Sequence, residues 1–204
     1  MLSQAFLQLA SEYTTDSALV QKLWAEVEQK HSESGRYYHT LIHLENLVAE
    51  LSAVQSHITH WPELLFAICY HDSVYKVQKQ DNEEKSAQLA QARLTELGVP
   101  PQSRVRCVQL ILATKGHAAS EDSDTCFFTD ADLSILGKPW EAYEAYYRQI
   151  RQEYKVYPSL LYNPGRKKVL NHFLQMPRIF KTQYFYQQYE QQARKNLQQE
   201  LNLL

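Results

Sequence analysis

Apolar side chains return every three or four residues from about Asp16 onward, and only five glycines and seven prolines stand in the 204-residue chain to interrupt them. That rhythm belongs to helices with one buried face, whereas strands would require alternation and more frequent turn residues. Leu19, Val20, Leu23, Trp24 and Val27 form the first stripe, which fades at the polar run Ser32-Glu33-Ser34-Gly35. A second helix follows Tyr38-His39-Thr40, carries Leu44, Leu47, Val48 and Leu51, and weakens near Ser56. Pro62 suits the first turn of a third helix, whose run Leu64-Leu65-Phe66-Ala67-Ile68-Cys69 is apolar on all sides and therefore belongs in the core. It stops abruptly at His71-Asp72.

Asp81-Asn82 offers N-cap chemistry for a helix that runs through Leu97 and closes at Gly98, ahead of Pro100-Pro101. Another helix runs from about Ser103 to Thr114. A polar loop over residues 116–125 precedes Phe127-Phe128-Thr129-Asp130-Ala131-Asp132. Further helices start near Pro139, after Asn163-Pro164, and at Thr182, the last keeping a four-residue beat of Phe185, Tyr189, Ala193, Leu197 and Leu201. No strand set, repeat or low-complexity linker is visible. The expectation is a single all-α domain over residues 1–204, with its core in 16–175 and a C-terminal helix over 182–203.

Composition narrows the function classes. Hydrophobic residues at 44% and charged residues at 22% are ordinary for a globular chain, and the length suits one domain. Lys and Arg total 21 against 23 Asp and Glu, so no global positive field exists to hold an extended nucleic acid. No stretch approaches the ~20 apolar residues that a membrane span requires. Cys69, Cys107 and Cys126 form no CxxC pair or disulfide framework, and the first residues lack a basic leader with an apolar core. These features predict free thiols and a cytoplasmic protein. The final helix packs within the chain or forms a dimer face, so monomer and homodimer both remain open.

The chemistry-bearing residues collect where helices end. His71-Asp72 lies where a buried helix turns polar, and a carboxylate buried there needs a cation or hydrogen bonds to compensate it. Random order would give roughly 0.3 His-Asp pairs in a chain with eight His and seven Asp, so the dipeptide by itself says little. Its companions add weight: His39 and His43 are spaced i, i+4 and share a helical face, while Asp130 and Asp132 bracket Ala131 beside an apolar run. The plainer reading gives His39 and the Asp pair to capping and His43 to the core.

The ordered series His43, His71-Asp72, Asp132 on successive helices resembles the HD-domain superfamily of metal-dependent phosphohydrolases. The likeness extends through Arg36-Tyr37-Tyr38-His39-Thr40-Leu41-Ile42-His43, Tyr70-His71-Asp72-Ser73-Val74-Tyr75, Asp81-Asn82-Glu83-Glu84-Lys85-Ser86-Ala87, Ile111-Leu112-Ala113-Thr114-Lys115-Gly116-His117, Asp130-Ala131-Asp132-Leu133 and Ala193-Arg194-Lys195-Asn196-Leu197. It resembles one bacterial branch of predicted HD hydrolases. The resemblance implies an HD-type bundle whose metal ligands are His43, His71, Asp72 and Asp132. His39 competes for the first position and Asp130 for the last, and the two losers would orient the ligands or the water held there.

It further implies one or two divalent ions drawn from Mn, Mg, Fe, Co, Ni and Zn, and a small phosphorylated substrate of the nucleotide class. Asp72 and Glu83 are the expected catalytic carboxylates, with Glu84 the substitute for Glu83. Lys115, His117, Arg151, Lys155 and Arg166 are the candidate phosphate-binding cations. The rival expectation is a non-catalytic HD-fold module that holds a nucleotide or metal and reports it to a partner.

Overall fold

The computed structural model describes residues 2–204, and all regular structure among them is helical. The helices are α1 (Leu2–Ser11), α2 (Ser17–His31), α3 (Leu41–Ser52), α4 (Trp61–Tyr70), α5 (Asn82–Glu96), α6 (Pro101–Ala113), α7 (Ser123–Asp132), α8 (Trp140–Glu153), α9 (Ser159–Gln175) and α10 (Gln183–Leu203), with short 3-10 turns at Gln55–His57 and Ser134–Gly137. The all-α expectation is met.

Side-chain chemistry sets several ends. Asp16 accepts the Leu19 N–H at 3.0 Å to start α2, and Asp122 accepts the Thr125 N–H at 2.8 Å to start α7, three residues earlier than the sequence loop implied. Helix α5 closes as expected: Gly98 adopts φ +84°, its N–H donates to Thr95, and the Val99 N–H donates to Leu94 at 2.9 Å. Asp81 occupies the N-cap position of α5, but its side chain pairs with Lys85 at 3.0 Å and does not cap the helix.

Every side chain of α4 from Leu64 to Tyr70 is buried. The reason is position: α4 is central, with α1, α3, α5 and α6 packed against it. Two sequence expectations need correction. The core does not begin at residue 16, because α1 inserts Leu2, Phe6, Leu9 and Ala10, and the Phe6 ring lies 5.5 Å from Trp24 and 5.9 Å from Phe66. Helix α9 also starts before Asn163-Pro164 and runs through the proline. Pro164 lies near the helix start, and the carbonyl its missing N–H leaves unpaired belongs to Leu160, which is 85% exposed and can be served by water.

Helix α10 packs within the chain, burying Phe185, Tyr189, Ala193 and Leu197 on the expected beat. Asn196 adds a polar lock, donating from Nδ2 to the Leu136 and Lys138 carbonyls at 2.8 Å each. Among the described residues, no helix is long and apolar enough to cross a membrane.

Candidate metal centre

Three helices deliver the centre. His43 lies in the first turn of α3, His71 caps α4 with Asp72 following it, and Asp132 ends α7; α3 packs on both α4 and α7, so these ends meet. His43 Nε2 stands 3.3 Å from His71 Nε2 and 3.2 Å from Asp132 Oδ1. Asp72 Oδ2 is 3.1 Å from His71 Nε2 and 3.7 Å from His43 Nε2. His43, His71 and Asp132 offer donor atoms that all lie within 4.8 Å of one another and could hold a metal ion. Both imidazoles are buried, while the Asp72 and Asp132 side chains keep 19% and 14% of their surface open.

The donor set fits a cation. His71 Nδ1–H donates to the Ile68 carbonyl at 2.9 Å, which leaves Nε2 as the nitrogen aimed at His43 and the carboxylates. Two ring nitrogens 3.3 Å apart cannot both present lone pairs without positive charge between or beside them, and two carboxylates raise that demand further. Burial works against a charged His71 ring, but the Asp72 and Asp132 carboxylates and the Ile68 carbonyl together outweigh it and lift the imidazole to about 9. Burial likewise works against both carboxylates; His71 nevertheless holds Asp72 far below its usual range, and hydrogen bonds from His117 and His43 do the same for Asp132. A divalent ion satisfies the same charge demand.

Around this set the sequence expectations divide. His39 is close to the centre, its ring 5.8 Å from His43, and its Nδ1–H donates to Glu153 Oε2 at 2.7 Å. Burial opposes protonation of His39, yet Asp72 and Glu153 together raise its pKa. His117, expected as a phosphate-binding cation, adopts a left-handed backbone (φ +47°) and places Nε2 2.8 Å from Asp132 Oδ2, so it buttresses a candidate ligand.

Asp130 does not face the centre. Adjacent helical positions point ~100° apart, so Asp130 and Asp132 leave α7 in nearly opposite directions. Asp130 accepts the Lys181 and Thr182 N–H groups at 2.9 and 2.7 Å and the Thr182 hydroxyl at 2.8 Å, pinning the approach to α10. The remaining expected groups are also engaged elsewhere. Glu84 pairs with Lys115, which donates to the Gln80 carbonyl as well; Glu83 makes no hydrogen bond or ion pair with any of the four candidate ligands. Arg151 donates to the Tyr154 and Tyr157 carbonyls, Lys155 to the Tyr37 hydroxyl, and buried Arg166 to both oxygens of Glu200 at 2.7 and 2.8 Å. None of these three arginine and lysine side chains is a free cation at the centre.

Two residues that sequence reasoning left without a role hold the site together. Glu153, at the end of α8, accepts the Tyr37, Tyr38 and His39 N–H groups with Oε1 at 2.8, 2.8 and 3.1 Å, and the Tyr75 hydroxyl with Oε2 at 2.9 Å. Burial opposes its ionisation, but the His39 ring and those amides lower it to about 2. Arg36 donates to the His39, Asp72 and Ser73 carbonyls, tying the segment before α3 to the segment after α4. Arg36 stands inside the segment over residues 36–43 that carries the motif, which is a signal; Glu153 lies 114 residues from His39 in an ordinary amphipathic helix, which gives none.

A cavity of about 430 Å³ opens beside His39, with Tyr75, Tyr146, Tyr154 and Tyr162 among its walls. Compared with protein-family models, curated proteins and solved structures, the chain finds no match.

Proposed function

We propose that the chain is a metal-dependent phosphohydrolase of the HD-domain type, acting in the cytoplasm on a phosphate ester of a small molecule, with a nucleotide the class the motif resemblance implies. The observation that carries the reading is the convergence of His43, His71 and Asp132 from three helices onto one buried point. Asp72, 3.1 Å from His71, is the fourth ligand in this reading. Its mixed nitrogen and oxygen donors suit Mn, Fe, Co, Ni or Zn, with Mg a harder alternative, bound as one or two ions. A bound divalent ion would lower the pKa of water and offset charge on a phosphoryl oxygen.

The protein's own groups would then position and protonate. His39 lines the cavity and, with Nδ1 engaged by Glu153, has Nε2 to offer a ligand there. We assign it the proton that the departing oxygen takes, the role the sequence gave to Glu83. His117 steadies Asp132, and Arg36 fixes the two segments that carry His39 and Asp72.

A second reading, a metal-holding regulatory module without turnover, draws on one observation: Arg151, Arg166 and Lys115 are all engaged internally. Phosphate release separates the two. The chain, supplied in turn with Mn, Mg, Co, Ni, Fe and Zn, is assayed against phosphomonoesters and nucleotides beside Asp72→Ala. Release that disappears in Asp72→Ala while the helical spectrum persists supports the hydrolase. Metal uptake with no release across the panel supports the module.

A further inference from the structure

The cavity beside His39 is walled by five tyrosines, Tyr75, Tyr146, Tyr154, Tyr157 and Tyr162, with Ile150, Leu161 and Val169 as apolar fill. Such a lining is mainly aromatic. Its two basic side chains are each paired with a carboxylate, buried Arg166 with Glu200, which also accepts the Tyr143 hydroxyl, and His39 with Glu153, so no unpaired cation faces the cavity. Leu161 and Val169 remain 64% and 43% exposed at these walls, apolar surface that a ligand would cover.

The cavity also abuts the metal centre. Tyr38 bridges them, its ring 4.9 Å from His43 and 4.6 Å from Tyr146, and the His39 and Tyr75 rings are paired at 4.1 Å along one wall. Val169 separates this space from a second cavity of different chemistry, where Lys115, His117, Lys168 and His172 gather.

We infer that the tyrosine-walled cavity receives the uncharged organic portion of a phosphate monoester, and that this portion carries a planar aromatic ring. A volume of about 430 Å³ is at the scale of small-ligand sites. Aromatic faces and edges on several sides favour a ring over a flexible chain of equal charge. The inference rests on the hydrolase reading for its placement of the phosphoryl group at the centre.

The test compares 2-phenylethyl phosphonate with butyl phosphonate by calorimetry on the metal-supplied full chain; neither can be hydrolysed, so binding is read whether or not the chain turns over an ester. The ring-bearing compound should bind about tenfold more tightly. That gap should shrink to under about threefold in Val169→Trp, whose indole fills the space, and in Tyr157→Ala, which removes a wall. Circular dichroism and metal content confirm that each variant is folded. Equal affinities in the wild type, or a gap that survives both substitutions, overturn the inference. The phosphomonoester and nucleotide panel, extended with 2-phenylethyl phosphate, separates the two claims: ring preference with no phosphate release from any ester supports the cavity assignment and removes the hydrolase reading.

Discussion

His43 Nε2 and His71 Nε2 face each other across 3.3 Å, although 28 residues separate them in the chain. One belongs to the first turn of α3 and the other to the cap of α4, so packing of two helix ends creates the pair. The carboxylates divide around it, Asp72 nearer His71 and Asp132 nearer His43. The surrounding residues make separate demands that can each be measured.

Glu153 holds three consecutive backbone N–H groups and two side chains at once. Glu153→Ala should lower stability by about 3 kcal/mol, because it strands buried donors. Glu153→Gln keeps an acceptor for the amides but loses the charged partner of His39. It should stay folded and reduce phosphate release about 10- to 100-fold, with a changed pH profile. Thermal melts and rate profiles of both variants check this; unchanged kinetics in Glu153→Gln would remove His39 from the proposed proton transfer.

His31 makes stability depend on mild acid. Its Nδ1–H donates to the Val27 carbonyl, its Nε2 is buried without a partner, and burial drives the ring down to about 4. The unfolded chain takes up this proton near pH 6.5, whereas the fold resists it until about pH 4. Stability from this residue is therefore complete above pH 6.5 and falls as the pH drops toward 4, by about 3 kcal/mol in all. Denaturant melts across that window should show a slope that His31→Gln reduces.

Arg166 and Glu200 form a buried pair beneath the tyrosine cavity. Removing one member leaves the other charge unpaired, so Arg166→Met should cost about 3–5 kcal/mol. Arg166→Met with Glu200→Leu should recover most of that loss. Chemical denaturation of the two singles and the double tests the coupling; additive losses would contradict it.

Gly137 has no room for a side chain. A Cβ there would stand 2.7 Å from the Tyr189 carbonyl oxygen and 2.8 Å from its Cα, on the helix that Asn196 also fastens. Gly137→Ala should destabilise by about 1–3 kcal/mol as α10 is pushed outward, which a thermal melt would detect.

The helical plan was legible because apolar spacing and end signals agreed, as at Gly98 and on the α10 face. Helix α1 escaped notice since its ten residues have no charged face to contrast with Leu2, Phe6 and Leu9. Pro164 misled because its cost depends on solvent reaching Leu160, a property of the folded chain. At the centre, the motif order groups His43, His71, Asp72 and Asp132 in the sequence, and the fold brings their donor atoms together in space. Partners chosen by type alone fared worse. A cation near a motif is as readily consumed by a backbone carbonyl or a neighbouring carboxylate, as Arg151 and Lys115 are, and a carboxylate by backbone N–H groups, as Asp130 is.

Direct measurement of metal uptake tests the central claim most closely. The purified chain, stripped with chelator and titrated with Mn2+ or Zn2+, should bind about one or two equivalents and gain thermal stability that rises with the logarithm of the free ion concentration above Kd. Asp132→Ala and His43→Ala should weaken that binding about 100-fold or more while keeping the helical spectrum. Uptake that is absent from the wild type, or equally tight in both variants, would contradict a cation held by these side chains.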